Sequence, residues 1–466
     1  MMLRAILSFT DWLWGYPMLV LLGGGGLLMT ILLKGFQFIH LPYILNHTII
    51  KAFSHKEKGG DKISGFQALT TALSTTLGTG NIVGVALAVA YGGPGAVFWM
   101  WIIGLVAAII KYSEVVTALR YRFKNGKGEW TGGPMVYIPK ITGFKWLGTL
   151  FSIVVVFDLA LANTVQLSSV SDTLLVHGIP KLATVIVITI FVAAVVYGGL
   201  KRIVYVTERM IPFMSILYMA FGLIIILMHV EALPGIILAI FKNAFTSTAA
   251  TGGFAGATVA LTIRWGIARG IYSNDSGNGL TSIAHSNADV KHPVQQGLWG
   301  VFEVFFDTII VCSVTALVVL ASDVWRTMPA SMGGFMTVTA FKQNLGQIGG
   351  LVVSISLILF ALSTVIVFVY YAEKAAEVLW GPVGSKITRF CYIAILLVSG
   401  FTSLGVLIQL LDFSNAVIII LNMIAIFKAF PYVRRLTEDY MKNRDKYENL
   451  RADSNVPVEL YIDKRN

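Results

Sequence analysis

Eleven apolar stretches, each near or above the roughly 17–25 residues that cross a bilayer as a helix, dominate this chain of 466 residues. They read at about 17–33, 66–90, 95–120, 147–173, 182–199, 210–230, 262–285, 296–321, 347–379, 388–409 and 412–431, the ones around 280 and 360 being interrupted or overlong. A soluble core cannot absorb them, because geometry bounds the surface a globular chain buries. The composition agrees: 56% of residues are hydrophobic and 13% charged, against roughly 45–50% and 25% in soluble domains, and mean hydropathy is +0.76. The pattern predicts an all-α polytopic membrane protein of about eleven transmembrane helices. Collagen-like, disordered and disulfide-stapled chains are set aside. Cys312 and Cys391, both inside apolar runs, read as small buried hydrophobes. The first stretch has no processing site after it and runs into a basic loop, so it reads as a retained helix.

A net charge of +11 invites a nucleic-acid reading, but the position of the charges decides against it. With the N-terminus outside, the cytoplasmic segments 34–65, 120–145, 200–209, 286–295, 374–389 and 428–466 carry 27 Lys and Arg. The external segments 1–16, 174–181, 229–254 and 322–346 carry 5, and Lys111, Arg264 and Arg269 fall within spans. Lys and Arg collect in cytoplasmic loops because translocating them is unfavourable. The expected setting is therefore the plasma (cell inner) membrane, with lipid around the helices, no nucleic-acid partner, and the C-terminus in the cytoplasm. The tail from Tyr432 to Asn466 reads as a solvated end.

Two spans are interrupted where they cross mid-membrane. The second contains Gly78-Thr79-Gly80-Asn81, and the seventh contains Ser273-Asn274-Asp275-Ser276-Gly277-Asn278-Gly279. They stand five spans apart, so spans 2–6 and 7–11 divide into two halves of five helices, and an odd number per half forces opposite orientations. The expected organisation is an N-terminal helix and basic loop (1–65), a first repeat (66–230), an extracellular loop region (231–261), an inverted second repeat (262–431) and a cytoplasmic tail (432–466). Broken helices at corresponding places in two inverted halves point to a transporter site. Unwound backbone is prohibitive in lipid and must line a cavity or lie within protein. Freed carbonyls there can ligate a cation, and half-helix N-termini can hold a carboxylate. An amino acid carries both a carboxylate and an ammonium.

The same residues carry a resemblance. Gly78 to Ala86, followed by Gly92-Gly93-Pro94-Gly95-Ala96-Val97-Phe98-Trp99-Met100-Trp101, resembles the signature of the alanine or glycine:cation symporter family. Lys111-Tyr112-Ser113-Glu114, Gly132-Gly133-Pro134-Met135, Arg269 to Asn274, His292 to Gly297 and Tyr370-Tyr371-Ala372-Glu373 agree in order along the chain. The resemblance implies the inverted-repeat fold of the bacterial leucine transporter and symport of small neutral amino acids with sodium.

Carried over residue by residue, the resemblance places a sodium ion at the backbone carbonyls of Ser74, Leu77 and Phe360 and the hydroxyls of Ser363 and Thr364. Neutral oxygens suit a monovalent ion that must also leave. For the amino acid, Thr79, Gly80 and Asn81 would face Asn274, Gly277 and Gly279 across the two breaks. Gln166, in an Asn-x-x-Gln stretch, would add a third side, with Ser168 and Phe368 nearby. The chain also departs from the pattern. Its second break reads Asn274-Asp275-Ser276-Gly277-Asn278-Gly279-Leu280 where the family commonly has Asn-Glu-Ala-Gly-Leu-Gly-Ser. Phe368 replaces a common tryptophan, and Ser168 a common asparagine. These changes leave serine or glutamine open beside alanine and glycine.

The intramembrane charges have competing readings. Asp275 can hold a substrate ammonium, set the ion field, carry a proton or cap a helix. Lys111 and Glu114, three apart, suit a structural pair or a contact at the cytoplasmic interface. Glu303 and Asp307 share a face, with Arg264 or Arg269 as a partner for one of them. Asp158 suits a buried hydrogen-bonding partner or a pathway residue, and Trp99-Met100-Trp101 suits packing and interface anchoring. No metalloprotease or nucleophile-elbow motif is present, so an enzyme is not expected. A sodium-independent exchanger, a proton-coupled transporter, and a channel or sensor on the same fold are the alternatives.

Overall fold

The helices begin where local chemistry starts them. Ser64 accepts the Gln67 N–H at 3.2 Å while Gln67 accepts the Ser64 N–H at 3.0 Å, a reciprocal cap for the helix that follows. His292 and Gln295 repeat the device ahead of Pro293, which takes the first helical turn. Burial pushes the His292 imidazole down to about 4, so the neutral ring accepts the Val294 N–H at 3.2 Å. The computed structural model describes residues 9–10, 12–50, 62–126, 128–176, 178–248, 256–399 and 404–449. Parts of the expected first loop, extracellular loop, tenth span and tail lie outside the described residues.

The described residues are helical almost throughout. In order the main helices are α1 (Tyr16–Leu32), α2 (Gly65–Thr76), α3 (Gly80–Gly92), α4 (Gly95–Tyr121), α5 (Pro134–Thr142), α6 (Lys145–Val176), α7 (Lys181–Val196), α8 (Gly199–Met228), α9 (Leu233–Asn243), α10 (Val259–Asn274), α11 (Thr281–His285), α12 (Pro293–Ala321), α13 (Gly333–Ser399) and α14 (Leu404–Lys442). A two-residue hairpin, β1 (Phe123–Lys124) with β2 (Trp130–Thr131), sits between α4 and α5. Among the described residues six helices are long and apolar enough to cross a membrane, and the bent pair α2 and α3 makes a seventh. The helices α1 and α7 are apolar but shorter. Straight, the 67 residues of α13 would run about 100 Å at ~1.5 Å per residue. Gly346 (φ 62, ψ −148) and Gly381 (φ 67, ψ −165) leave helical geometry and divide it.

Two stretches expected as loops are helical. Residues 200–209 open α8, with Lys201, Arg202 and Arg209 exposed and Ile203, Val204 and Thr207 buried. That is one apolar stripe on a charged helix. The expected solvated tail from Tyr432 instead continues α14, and Val433, Leu436, Thr437 and Tyr440 are buried at helical spacing. Tyr440 stacks on Tyr447 with ring centroids 5.7 Å apart.

The bundle is organised around α4, which packs against α10 and α12. Close approach there depends on small residues. A Cβ on Gly266 would stand 2.4 Å from the Ala96 carbonyl oxygen, and one on Gly270 2.6 Å from Ile103. The indoles of Trp99 and Trp101 donate to the Ala244 carbonyl (3.0 Å) and to Ser313 (2.7 Å).

Candidate functional site

At the first break α2 stops at Thr76, Leu77 turns to φ −80, ψ 87, and the chain resumes in α3 at an angle of 52°. The freed Gly78 N–H finds its acceptor three residues on, at Asn81 Oδ1 (3.0 Å). Asn81 Nδ2 in turn donates to Asp307 Oδ1 at 2.6 Å and Ser273 Oγ at 3.0 Å. Asp307 sits in a wide π-turn of α12 and also accepts from Ser273 (2.9 Å) and Thr308 (2.8 Å). Its partners are neutral donors. The expected arginine partner is not what either acid of this helix finds, because Glu303 faces Lys111 and His285 instead.

The second break is longer. Asp275 is left-handed (φ 52), as are Gly277 (φ 94) and Gly279 (φ 75), and α11 begins at Thr281. Glycine makes the last two positions accessible without strain. Asn274 Oδ1 and Asn278 Oδ1 accept the N–H groups of Ser276 (3.0 Å) and Leu280 (2.9 Å). The Asp275 carbonyl and both polar groups of Gly277 are held from outside. Lys111 Nζ donates to the Asp275 carbonyl (2.9 Å) and to Thr281 Oγ1 (2.6 Å), and Glu114 Oε1 accepts the Gly277 N–H (2.9 Å). Asn422 Nδ2 donates to the Gly277 carbonyl (2.8 Å) and to Glu114 (2.7 Å). Lys111 and Glu114 therefore do not pair with each other across a turn of α4. They grip the unwound strand, and Lys111 Nζ lies 3.6 Å from Glu303 Oε1, both fully buried. His285 Nε2 meets the other Glu303 oxygen at 2.8 Å.

Of the residues expected around sodium, Thr364 and Ser74 meet between helices, while the Ser363 hydroxyl bonds back within its own helix. The Thr364 hydroxyl donates to the Ser74 carbonyl at 2.8 Å and the Phe360 carbonyl at 2.9 Å, and the Ser363 hydroxyl reaches the same Phe360 carbonyl at 2.9 Å. All of these residues and Leu77 are fully buried. Leu77 is the residue at which the helix opens.

Between the breaks lies a narrow cavity of about 40 Å³. Its walls are Thr75, Thr76, Gly78 and Gly80 from the first break, and Tyr272, Asp275, Asn278 and Leu280 from the second. Asp158, Leu159, Ala162 and Gln166 of α6, Phe368 of α13, and Leu411 and Asn415 of α14 complete it. Of the residues expected at the substrate, Gly80, Gln166, Asp275 and Phe368 line this space. Thr79, Asn81, Asn274, Gly277, Gly279 and Ser168 do not. Asn81 and Asn274 bond other parts of the protein, and Gly277 and Gly279 face Leu22, Pro134 and Tyr137. Ser168 turns away to the Ser399 carbonyl at 2.6 Å. Residues not singled out for the site also line it. Tyr272 immediately precedes the second motif, Thr75 and Thr76 lie within a turn of the first, and Asp158 is an acid inside an apolar run. Nothing in the sequence marks Asn415 or Leu411.

Comparison with known proteins finds matches along almost the whole chain. Residues 1–454 match the sodium:alanine symporter family. An uncharacterised transporter of Bacillus subtilis, YflA, is 43% identical over 452 residues, covering 96% of each chain. A sodium/alanine symporter of Methanococcus maripaludis, AgcS, is 38% identical over 92% of this chain and 97% of its own. A probable sodium/glutamine symporter of Bacillus subtilis, GlnT, is 30% identical over 93% and 90%. A polytopic helical chain with two broken helices around a buried polar cavity, matched from end to end by such carriers, belongs to the sodium:alanine symporter family, a family of membrane transporters that move amino acids together with a cation.

Proposed function

We propose that this chain is a sodium-coupled symporter that imports a small neutral amino acid, alanine, glycine or a relative such as serine or glutamine, by alternating access. One observation carries the reading. Three buried oxygens in the cavity wall, Gln166 Oε1, Asp275 Oδ2 and Asn415 Oδ1, have no hydrogen-bond partner among the described residues. Orphaned acceptors are costly in a protein interior, and an amino acid's ammonium supplies the donors they lack. Its carboxylate belongs at the restart of α3 by Gly80, the positive end of a half-helix. Sodium takes the carbonyls of Ser74, Leu77 and Phe360 with the Ser363 and Thr364 hydroxyls. The hydroxyl of Thr364, already within reach of two of those carbonyls, supports this set.

In this reading eleven spans form two inverted halves of five after one extra helix, with the N-terminus outside and the C-terminal tail in the cytoplasm. The two glycine interruptions of α13 and the two breaks five spans apart support it. A second reading, proton coupling, is favoured by Asp307, a fully buried carboxylate whose partners are neutral donors. Uptake of labelled alanine into proteoliposomes tests both. The expected result is accumulation driven by an inward sodium gradient and abolished by choline. Accumulation driven by a pH gradient in choline favours the proton, and no accumulation under either gradient overturns symport.

A further inference from the structure

Arg269 is an arginine that neither acid of α12 claims. Among the described residues its guanidinium has no hydrogen bond and no ion pair, and its Nε is buried without an acceptor. It is held between two rings of its own helix, 5.1 Å from the Trp265 centroid and 5.6 Å from that of Tyr272. Cation–π contacts fix a charge in place without using its N–H donors. An arginine with uncommitted donors inside a membrane bundle is costly and marks a pathway.

The side chain lies in the crevice where α10 packs along α3. Innermost, a Cβ on Gly80 would lie 3.5 Å from the Tyr272 ring, and both residues line the cavity. One turn further out, roughly 5 Å along the helix, a Cβ on Gly84 would meet Arg269 Cδ at 3.9 Å. At the far end Tyr91 stacks on Trp265 with centroids 4.6 Å apart, and Tyr91 is exposed. The crevice thus runs from the cavity to the end of α10 that follows the expected extracellular region. The cavity wall itself holds no Lys, Arg or His, so the charge of Arg269 stands one turn outside it.

Resting on the transport reading above, we infer that Arg269 forms an outer anion subsite, which receives the α-carboxylate of the incoming amino acid before it enters the cavity. The guanidinium fork matches the two oxygens of a carboxylate. The final seat of that carboxylate, at the restart of α3 by Gly80, lies one turn further in, past the Tyr272 ring. Arg269 therefore acts on entry and not on final affinity.

The test uses ethanesulfonate, an anion that presents charged, forked oxygens, carries no ammonium and does not cross the bilayer. Uptake of labelled alanine under an inward sodium gradient is measured in proteoliposomes of the full-length wild type, Arg269→Gln and Arg269→Lys, with ethanesulfonate outside against an equal concentration of chloride. Ethanesulfonate should slow wild-type uptake several-fold. It should not displace labelled alanine bound to the purified protein at equilibrium, because the two occupy different levels of the crevice. Arg269→Gln should be insensitive to it. The KM of that variant for alanine should rise by about tenfold, the low end of electrostatic steering, with kcat and melting temperature little changed. Arg269→Lys keeps the charge and should keep most of the sensitivity. Wild-type uptake indifferent to ethanesulfonate overturns the inference, as does sensitivity that persists in Arg269→Gln. Displacement of bound alanine puts the anion in the cavity and overturns it too. Should Arg269→Gln not fold, the wild type and Arg269→Lys still decide. If the wild type takes up no alanine with sodium, it is the transport reading that fails. The subsite is then read from thermal stabilisation by ethanesulfonate, expected in the wild type and lost in Arg269→Gln.

Discussion

The two helix breaks open the backbone in the same part of the bundle but are held in different ways. At the first, the freed N–H of Gly78 is taken by Asn81, three residues away, and the bend is 52°. At the second, two Asn side chains close local turns, but the Asp275 carbonyl and both polar groups of Gly277 are held by Lys111, Glu114 and Asn422 from α4 and α14. The first break is closed by a neutral side chain of its own segment, Asn81, which also reaches Asp307 on α12. The second is wired by charge into the bundle, through Lys111 and Glu303 to His285 on α11. A local cap can re-form wherever its own segment goes. A strand gripped by a buried lysine and a buried carboxylate can move only if α4 moves with it or those bonds break, and each broken bond strands a charge in low dielectric.

Lys111→Met is the harshest test of this contrast. It leaves Glu303 without its lysine and the Asp275 carbonyl without a donor, and breaking a buried pair this way costs about 3–5 kcal/mol. Thermal unfolding of the purified protein in detergent should show the largest loss of any variant here. An unaltered melting temperature would mean that charge does not hold the second break.

Paired glycine substitutions sharpen the comparison. Gly277→Ala puts a Cβ 2.5 Å from Leu22 Cδ2 at φ 94, and the left-handed conformation alone costs about 1–2 kcal/mol. Gly78→Ala has no such φ, and its Cβ would lie 3.3 Å from Thr364 Oγ1 and 3.4 Å from Gln166 Nε2. The first should lower stability. The second should leave stability nearly intact and change sodium activation of uptake. Equal melting temperatures for the two would erase the distinction.

Removing the local cap with Asn81→Ala strips one acceptor and the donor to Asp307, worth about 1–3 kcal/mol. That loss should be smaller than for Lys111→Met in the same melting assay.

Thr364→Ala deletes the hydroxyl that spans the Ser74 and Phe360 carbonyls. Apparent sodium affinity should weaken by roughly 5–150-fold, the equivalent of about 1–3 kcal/mol, with normal protein abundance. A sodium activation curve that does not shift would remove Thr364 from the ion site.

Phe368→Trp is the mildest. Phe368 lines the cavity and is 8% exposed, so a larger ring there should penalise glutamine more than alanine, by roughly tenfold at the low end of pocket discrimination. The ratio of glutamine to alanine uptake reads it, alongside abundance, since overpacking can also harm the fold.

Much of the architecture is legible in the sequence because it is written locally. Apolar runs mark the helices, and both interruptions were visible as clusters of Gly and Asn, which leave helical geometry cheaply and bond their own backbone. The failures have physical causes too. The tail from Tyr432 looks solvated by composition, yet its apolar residues recur at helical spacing and pack. Lys111 and Glu114 look like partners at i and i+3, but each has a stronger claim on unwound backbone that lies more than 160 residues ahead.

The sequence by itself determined that the chain is helical and apolar, where its helices open, and which local groups cap them, since these depend on a residue and its near neighbours. Only the tertiary structure decided which side chains hold the second break and which reach the cavity. Asp158 and Asn415 line it, while Ser168 and Gly279, on equally suggestive motifs, point into protein. A helical side chain's direction follows from how its helix is rotated and what small residues let its neighbours approach. Those relations join segments hundreds of residues apart, as Asp158 and Ser414 are, and a one-dimensional pattern does not carry them.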